Sequence, residues 1–137
     1  MTLEIENLGE VVFCHGSPRS DDEILTRITP LDEVDEASGG APLVVCGHTH
    51  VQYDRQTPRS RVVNAGSVGM PYEGRTAAYW ALLGPEVELV ATDYDVEAAA
   101  AAARATGYDN VEDFVASLLE PHSAEEATEV FEARRGA

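Results

Sequence analysis

Three of the four histidines follow apolar segments of the kind that forms buried β-strands. His48 and His50 come after the run Leu-Val-Val-Cys and a glycine, and His15 comes after the run Val-Val-Phe-Cys and precedes a glycine. Open α/β sheets place their chemistry in the loops at the carboxyl ends of their strands. We therefore expect these three imidazoles to lie close together and to bind a metal ion. Neutral imidazole favours manganese, iron, zinc or nickel over calcium and magnesium, which prefer oxygen ligands.

Two cysteines end the same two apolar runs, directly before the histidine loops. Cys14 precedes His15, and Cys46 lies two residues before His48. In a cytosolic chain such cysteines are commonly reduced core residues. The alternative is a structural zinc site in which Cys46 binds the ion together with the histidines. Cys14 and His15 are adjacent, so on a strand they point to opposite faces, which argues against Cys14 as a ligand.

Polar residues near the histidine loops could bind an oxyanion. Arg19 offers a planar guanidinium beside a predicted helix start, and Asn64 and Ser67 lie in a third turn that contains glycine. We predict that these three residues contact the substrate. For Arg19 the alternative is a surface ion pair with Asp21 or Asp22. For Asn64 and Ser67 the alternative is a role as turn formers.

The segments that must position these residues show both strand and helix patterns, which predicts an α/β fold. The first two strands read as a hairpin closed by a glycine. The run of alanines at residues 98–103 predicts a helix packed closely against a sheet. The predicted strands cover residues 2–6, 10–14, 43–46, 61–65, 77–83 and 87–92, and the predicted helices begin near residues 20, 30, 95, 110 and 123.

The composition restricts the class of partner. The 137-residue chain has 25 acidic and nine basic residues and a formal net charge of -16, and every basic residue is arginine. Such a surface repels polyanions, so DNA or RNA is not expected as a bulk partner. There is neither a signal-peptide pattern nor an uninterrupted apolar segment of about 20 residues, so we expect a cytoplasmic protein without membrane contact.

Three motifs together resemble those of the calcineurin-like metallophosphoesterases, in particular the small bacterial and archaeal phosphodiesterase branch. They are Cys-His-Gly-Ser-Pro at residues 14–18, Gly-His-Thr-His at 47–50 and Asn-Ala-Gly-Ser-Val-Gly at 64–69. The resemblance implies a centre of two divalent transition metals that activates a bridging water for attack on a phosphoester. Carried over by position, His15 and His48 would bind one metal and His50 the other.

The family's earlier motifs, an Asp-x-His, a Gly-Asp and a Gly-Asn-His, have no counterpart in this sequence. Two close cations need anionic ligands to offset their repulsion, and three imidazoles supply none. We therefore expect at most one metal here and assign no catalytic residue. Five aspartates could substitute as ligands, but each fits better as a helix cap or a solvated loop acid. They are Asp21, Asp22, Asp54, Asp93 and Asp95.

These observations lead to a set of expectations for the whole chain. The fold class is α/β, with residues 1–94 resembling the carboxyl-terminal half of a metallophosphoesterase α/β/β/α sandwich and residues 95–137 forming a helical extension. The function is that of a metal-dependent phosphoesterase of the phosphodiesterase kind, truncated and inactive as this isolated chain. The alternative is a non-catalytic, phosphoesterase-shaped scaffold or binding module. A sheet without its partner sheet exposes an apolar face, so we also expect a homodimer that covers it.

Overall fold

The computed structural model describes residues 1–135, and these form seven strands and four helices. The strands are β1 (Thr2–Ile5), β2 (Gly9–Phe13), β3 (Leu43–Cys46), β4 (Tyr53–Gln56), β5 (Arg61–Asn64), β6 (Ala78–Leu83) and β7 (Val87–Thr92). The helices are α1 (Leu31–Ala37), α2 (Val96–Ala105), α3 (Val111–Leu119) and α4 (Ala124–Arg135). The α/β fold class is confirmed. Residues 136 and 137 of the predicted helical extension lie outside the described part.

Five strands form one sheet of order β1-β2-β3-β5-β4, in which the three central strands are parallel and the two edge strands antiparallel. A row of valines crosses the centre, with Val12 opposite Val44 and Val44 opposite Val62. All four residues of β3 are buried, as expected for a strand between two covered faces. The parallel arrangement brings the carboxyl ends of β2, β3 and β5 to one edge, where the histidine loops begin.

Helix α1 covers one face of this sheet. Val34 and Ala37 of the helix, with Leu25 from the preceding loop, form a core cluster with Val44 and Val62 of the sheet. Each of these five side chains is at least 95% buried, and burial of an aliphatic side chain contributes about 1.5–3 kcal/mol.

The antiparallel hairpin of β6 and β7 covers the other face. Leu83 and Leu89 from this hairpin pack against Val11, Val45 and Val63 of the sheet. The chain therefore covers both faces of the five-stranded sheet by itself. Exposed apolar surface lies instead on the outer side of the hairpin, because alternate residues of a strand point to opposite faces. Trp80 and Leu82 stand there, 36% and 46% exposed.

Helices α2 and α3 form a separate small cluster. Ala100 of α2 packs with Val115 and Leu118 of α3. The prediction that the alanine-rich helix lies against a sheet is therefore wrong: its small side chains allow close approach to another helix. The predicted cap at Asp95 is confirmed, because its carboxylate accepts a hydrogen bond from the Ala98 amide at 2.9 Å. Within residues 1–135, no helix has both the length and the apolarity needed to cross a membrane.

The predicted helix near residue 20 does not form. The Ser17 amide donates to the Ser20 carbonyl at 2.8 Å, and the Ser17 hydroxyl accepts from the amides of Arg19 and Ser20, which ties this segment into turns. Glu23, expected to complete a capping box, instead accepts hydrogen bonds from Ser17 and Arg19. The helix predicted near residue 30 is present as α1, with Pro30 as its N-cap.

Candidate metal centre

Two backbone hydrogen bonds tie the histidine loops to each other at the sheet edge. The Cys14 amide donates to the Val45 carbonyl at 3.2 Å, which extends the β2 and β3 pairing by one residue. The Gly47 amide then donates to the His15 carbonyl at 2.9 Å. A third bond, from the Ala65 amide to the Cys46 carbonyl at 3.0 Å, joins the loop after β5. The three motifs that the sequence places on separate strands therefore share one edge.

The loop after β3 takes an uncommon backbone path at both of its histidines. His48 and His50 have φ of 66° and 56°, in the left-handed region, which costs a residue with a Cβ about 1–2 kcal/mol. Thr49 between them is 2% exposed, and its amide donates to the Gly47 carbonyl at 2.7 Å. The loop thus buries the threonine and turns both histidines away from the core. Strained residues of this kind cluster at functional sites.

The structure brings His15 and His48 into direct contact. The Nε2 atom of His15 lies 3.0 Å from the Nδ1 atom of His48, and the rings meet edge to face with centroids 4.9 Å apart. Two imidazole nitrogens that bind one divalent ion at about 2.0–2.1 Å also lie about 3 Å apart. In the structure these two nitrogens form a hydrogen bond, and their separation equals that of two imidazole nitrogens on one transition-metal ion.

His50 is held in a single tautomer. Its Nδ1 atom lies 2.8 Å from the Met70 carbonyl oxygen, so Nδ1 must carry the proton and donate. Tyr72 stacks on the same ring at 5.1 Å between centroids. The Nε2 atom of His50 is left as the nitrogen with a free lone pair, and a second partner on the other nitrogen is typical of metal-binding histidines.

The local environment keeps two of these histidines neutral near pH 7. Burial lowers the pKa of His48 below its ordinary value, and the neighbouring His15 lowers it further. Burial also lowers the pKa of His50, against the opposing effect of the hydrogen bond to Met70. Neutral imidazole is the form that binds a metal ion.

Carboxylates do not complete this site. In the part of the chain that the structure describes, no group of three His, Cys, Asp or Glu side chains is arranged to hold a metal ion. Asp54 pairs with Arg61 at 2.6 Å, and Asp93 pairs with Arg75. The adjacent nitrogens of His15 and His48, with His50 two residues further along the loop, could therefore supply only part of the ligand set of a divalent transition metal.

The two cysteines are not placed or ionised as metal ligands. Cys46 is buried in the core beside Tyr53, whose hydroxyl oxygen is 3.6 Å from the sulfur. Burial raises the pKa of the Cys46 thiol to about 12, which disfavours the thiolate that zinc requires. The Cys14 sulfur lies 4.0 Å from the Val45 carbonyl oxygen. The structural zinc site is not formed among the described residues.

The predicted substrate residues make contacts within the chain. Arg19 pairs with Glu23 and Glu36, rather than with the two aspartates weighed from the sequence. Asn64 is fully buried and holds the histidine loop, and the Ser67 hydroxyl accepts a hydrogen bond from the Met70 amide at 3.0 Å. A contact of Arg19, Asn64 or Ser67 with substrate stays a prediction.

Two aromatic residues beside the histidines were not predicted from the sequence. Tyr72 stacks on His50, and Phe131 of α4 lies 6.1 Å from His48 between ring centroids. Tyr72 follows the last motif by only a few residues, which is a weak signal. Phe131 gives no signal at all, because it comes from a helix far along the chain.

The comparison with known families agrees with this geometry. The calcineurin-like phosphoesterase superfamily domain matches residues 1–84, which include all three histidines. The chain therefore belongs to the calcineurin-like phosphoesterase superfamily, a class whose members use divalent metals. No curated protein matches the chain.

Solved structures match the fold. A hypothetical protein from Pyrococcus horikoshii OT3 matches with a TM-score of 0.68 and 19% identity over 83% of this chain and 49% of that protein. A metallophosphoesterase from Sphaerobacter thermophilus matches with a TM-score of 0.63 and 22% identity, over 87% of this chain and 56% of that protein. The present chain thus spans about half the length of these structures.

Proposed function

We propose that this chain contributes the histidine ligands of a metal-dependent phosphoesterase that acts on phosphodiesters. The observation that carries the proposal is the 3.0 Å contact between the ring nitrogens of His15 and His48 at the carboxyl edge of the sheet. His15 and His48 would hold a manganese, iron, zinc or nickel ion, and His50 would present its Nε2 atom beside them. Such an ion lowers the pKa of bound water and offsets charge on the phosphoryl oxygens.

Other residues of the chain orient the histidine nitrogens without a bound ion. The Met70 carbonyl fixes the His50 tautomer, and Asn64 fixes the loop that carries His48 and His50. Burial lowers the pKa values of His48 and His50 and so favours their neutral forms, which reduces the free energy spent on releasing protons from these two when a metal binds. The cytoplasmic location expected from the sequence is part of this proposal.

We further propose that the 137 residues alone bind one ion at most and turn over phosphodiesters very slowly. Three neutral imidazoles provide no negative charge to hold two cations about 3.5–4 Å apart. The competing function, a phosphoesterase-shaped scaffold without catalysis, is favoured by the lack of a three-ligand cluster within residues 1–135.

Cobalt(II) binding distinguishes these functions. Titration of the chain with cobalt should give the visible absorption of nitrogen-coordinated cobalt, and the variant with both His48→Ala and His50→Ala should lose it. His122→Ala is the matched control, because it removes the histidine that lies outside the three motifs, and it should leave the spectrum unchanged. No cobalt binding by the unmodified chain would overturn the metal-centre proposal and favour the scaffold.

Hydrolysis of bis-p-nitrophenyl phosphate tests the second part of the proposal. With manganese or nickel added, the unmodified chain should be no faster than the double histidine variant. Metal-dependent turnover that the double substitution abolishes would establish the phosphoesterase activity and would show that the proposed inactivity of the isolated chain is wrong.

A further inference from the structure

A cavity of about 200 Å³ lies between α4 and the loop that follows the third motif. Its lining combines three aromatic rings, two aliphatic side chains, one acidic residue and one basic residue, namely Tyr72, His122, Phe131, Ala127, Val130, Glu126 and Arg134. Pockets that bury a whole drug-sized ligand measure about 300–1,000 Å³, so this cavity has room for one ring system of a larger ligand.

The walls of this cavity touch the candidate metal centre directly. Tyr72 stacks on His50 with centroids 5.1 Å apart, and Phe131 lies 6.1 Å from the His48 ring. Tyr72 and Phe131 contact each other, with ring centroids 6.4 Å apart and planes tilted by 43°, and together form one aromatic surface of the cavity. A ligand whose phosphoryl group sits at the histidines would therefore place the adjoining organic group against this surface.

One wall of the cavity lies within the part of the chain that matches the family, and the other wall lies outside it. Tyr72 lies within the matched residues 1–84, whereas Phe131 and Arg134 belong to α4, beyond the match. The second wall thus lies outside the family match. Contacts with the sheet domain fix that wall in place: Glu132 accepts a hydrogen bond from Thr29 at 2.8 Å, and Glu125 pairs with Arg27.

Arg134 supplies a cation at this cavity. Its guanidinium makes no ion pair or side-chain hydrogen bond with any of residues 1–135, although acidic side chains line the neighbouring cavity that it also borders. In a chain of net charge -16, a cation without an ionic partner among residues 1–135 and beside aromatic rings is suited to stack on a planar ring or to attract an anionic ligand.

We propose that this cavity binds a planar aromatic substituent of the phosphoester, which packs against the adjoining rings of Phe131 and Tyr72 with Arg134 at the rim. The assignment rests on the proposed function, because the histidines are taken as the site of the phosphoryl group. It makes Phe131 and Arg134 determinants of substrate specificity and identifies the substrate class as aryl or heteroaryl phosphoesters.

Two phosphonates that differ only in the ring provide the test. Phenylphosphonate and methylphosphonate are titrated into the full chain, with and without cobalt, and binding is followed by amide chemical shifts. Phenylphosphonate should bind at least about tenfold more tightly, and the shifts should be centred on α4 and Tyr72. Equal affinities, or shifts centred elsewhere, would overturn the assignment.

Substitutions in α4 test whether Phe131 and Arg134 cause the preference for phenylphosphonate over methylphosphonate. Phe131→Ala should reduce phenylphosphonate affinity about tenfold and leave methylphosphonate unchanged. Arg134→Gln, an exposed change that does not threaten folding, should reduce it about threefold. Leu119→Ala, which trims an exposed apolar side chain of α3, is the control and should retain the preference. A preference that survives both α4 substitutions would contradict the proposal.

The outcome separates this assignment from the proposed function. If cobalt binds at the histidines but the two phosphonates bind equally, the aromatic pocket is wrong and the metal centre stands. If phenylphosphonate binds selectively at α4 but cobalt does not bind, the pocket recognises aromatic rings and the phosphoesterase function is wrong.

Discussion

Asn64 connects the loops that carry the histidines, although it was singled out from the sequence for a different role. Its side chain is fully buried, and its amide nitrogen donates to the Thr49 hydroxyl at 3.0 Å and to the Gly47 carbonyl. Its carbonyl oxygen accepts from the Gly66 amide at 2.9 Å. One side chain therefore satisfies buried polar groups in the loops after β3 and β5, and the left-handed conformations of the histidine loop depend on it.

Asn64→Asp should destabilise the fold by about 1–3 kcal/mol, because a carboxylate cannot donate to the Gly47 carbonyl or the Thr49 hydroxyl and would bury a charge. Urea unfolding at pH 7 measures the change. The matched control is Asn7→Asp, the same substitution at an exposed turn residue, which should alter the unfolding free energy by less than about 0.5 kcal/mol. Equal effects of the two substitutions would contradict this role for Asn64.

At the scale of the element, α4 is attached to the sheet domain through polar contacts. The Glu132 carboxylate accepts hydrogen bonds from the hydroxyls of Thr26 and Thr29 and from Arg135, and both threonines are buried. The helix has few buried residues of its own, namely Ala124, Ala127 and Thr128. Because little apolar surface holds it, the position of α4 beside the histidines depends on polar contacts, and Glu132 makes the ones that reach buried groups.

Glu132→Ala should therefore release α4 while leaving the sheet folded. The amides of α4 should exchange with solvent at least about tenfold faster, since loss of a charged hydrogen-bond partner costs about 1.5–3 kcal/mol. The preference for phenylphosphonate should fall with it. Glu129→Ala, the same substitution at an exposed position of the same helix, is the control. Unchanged exchange in the Glu132 variant would show that other contacts hold the helix.

Local patterns predicted most of the elements, and non-local contacts account for the failures. Apolar runs located β2, β3 and β5, and the side-chain cap of Asp95 and the Ser123 capping box start their helices as expected. Strand β4 was missed because its sequence Tyr-Asp-Arg-Gln is largely polar, and its pairing with β5 makes it a strand. The predicted helix near residue 20 failed because Ser17 and Arg19 engage the carboxylate of Glu23.

The candidate site likewise has a part that local sequence predicted and a part that depends on non-local contacts. The types and spacing of His15, His48 and His50 were enough to predict that they share one sheet edge, because parallel strands bring their carboxyl ends together. The aromatic surroundings were not predictable, since Phe131 reaches the site only through the docking of α4. Sequence spacing reports the residues of one loop or helix, but not a contact made by a distant helix.

At the scale of the whole molecule, two features have opposite effects on self-association: an exposed apolar patch favours it, and the high negative charge opposes it. The homodimer stays a prediction, but the surface predicted for it, an uncovered sheet face, does not exist, because α1 and the hairpin cover both faces. The outer side of the β6 and β7 hairpin, with Trp80 and Leu82 exposed, is the surface we propose instead. Two copies that each carry a net charge of -16 repel one another, and salt screens that repulsion with a Debye length of about 8 Å at 0.15 M.

Sedimentation at micromolar concentration should show a dimer whose fraction rises with sodium chloride. Leu82→Arg should reduce the dimer, because it places a charge in an apolar contact. Leu119→Arg adds the same charge at another exposed leucine and should leave the dimer intact. A compact monomer at all salt concentrations would show that the hairpin surface does not mediate self-association.

The β6 and β7 hairpin also has a consequence for the limits of the folding unit. The family match ends at residue 84, between β6 and β7, so the boundary set by sequence similarity cuts a hairpin in two. A chain ended there would leave β6 without its only partner strand among the described residues and would strip Val87 and Leu89 from the core. The smallest piece that keeps both sheet faces covered therefore extends at least through Thr92, although the family match ends at residue 84.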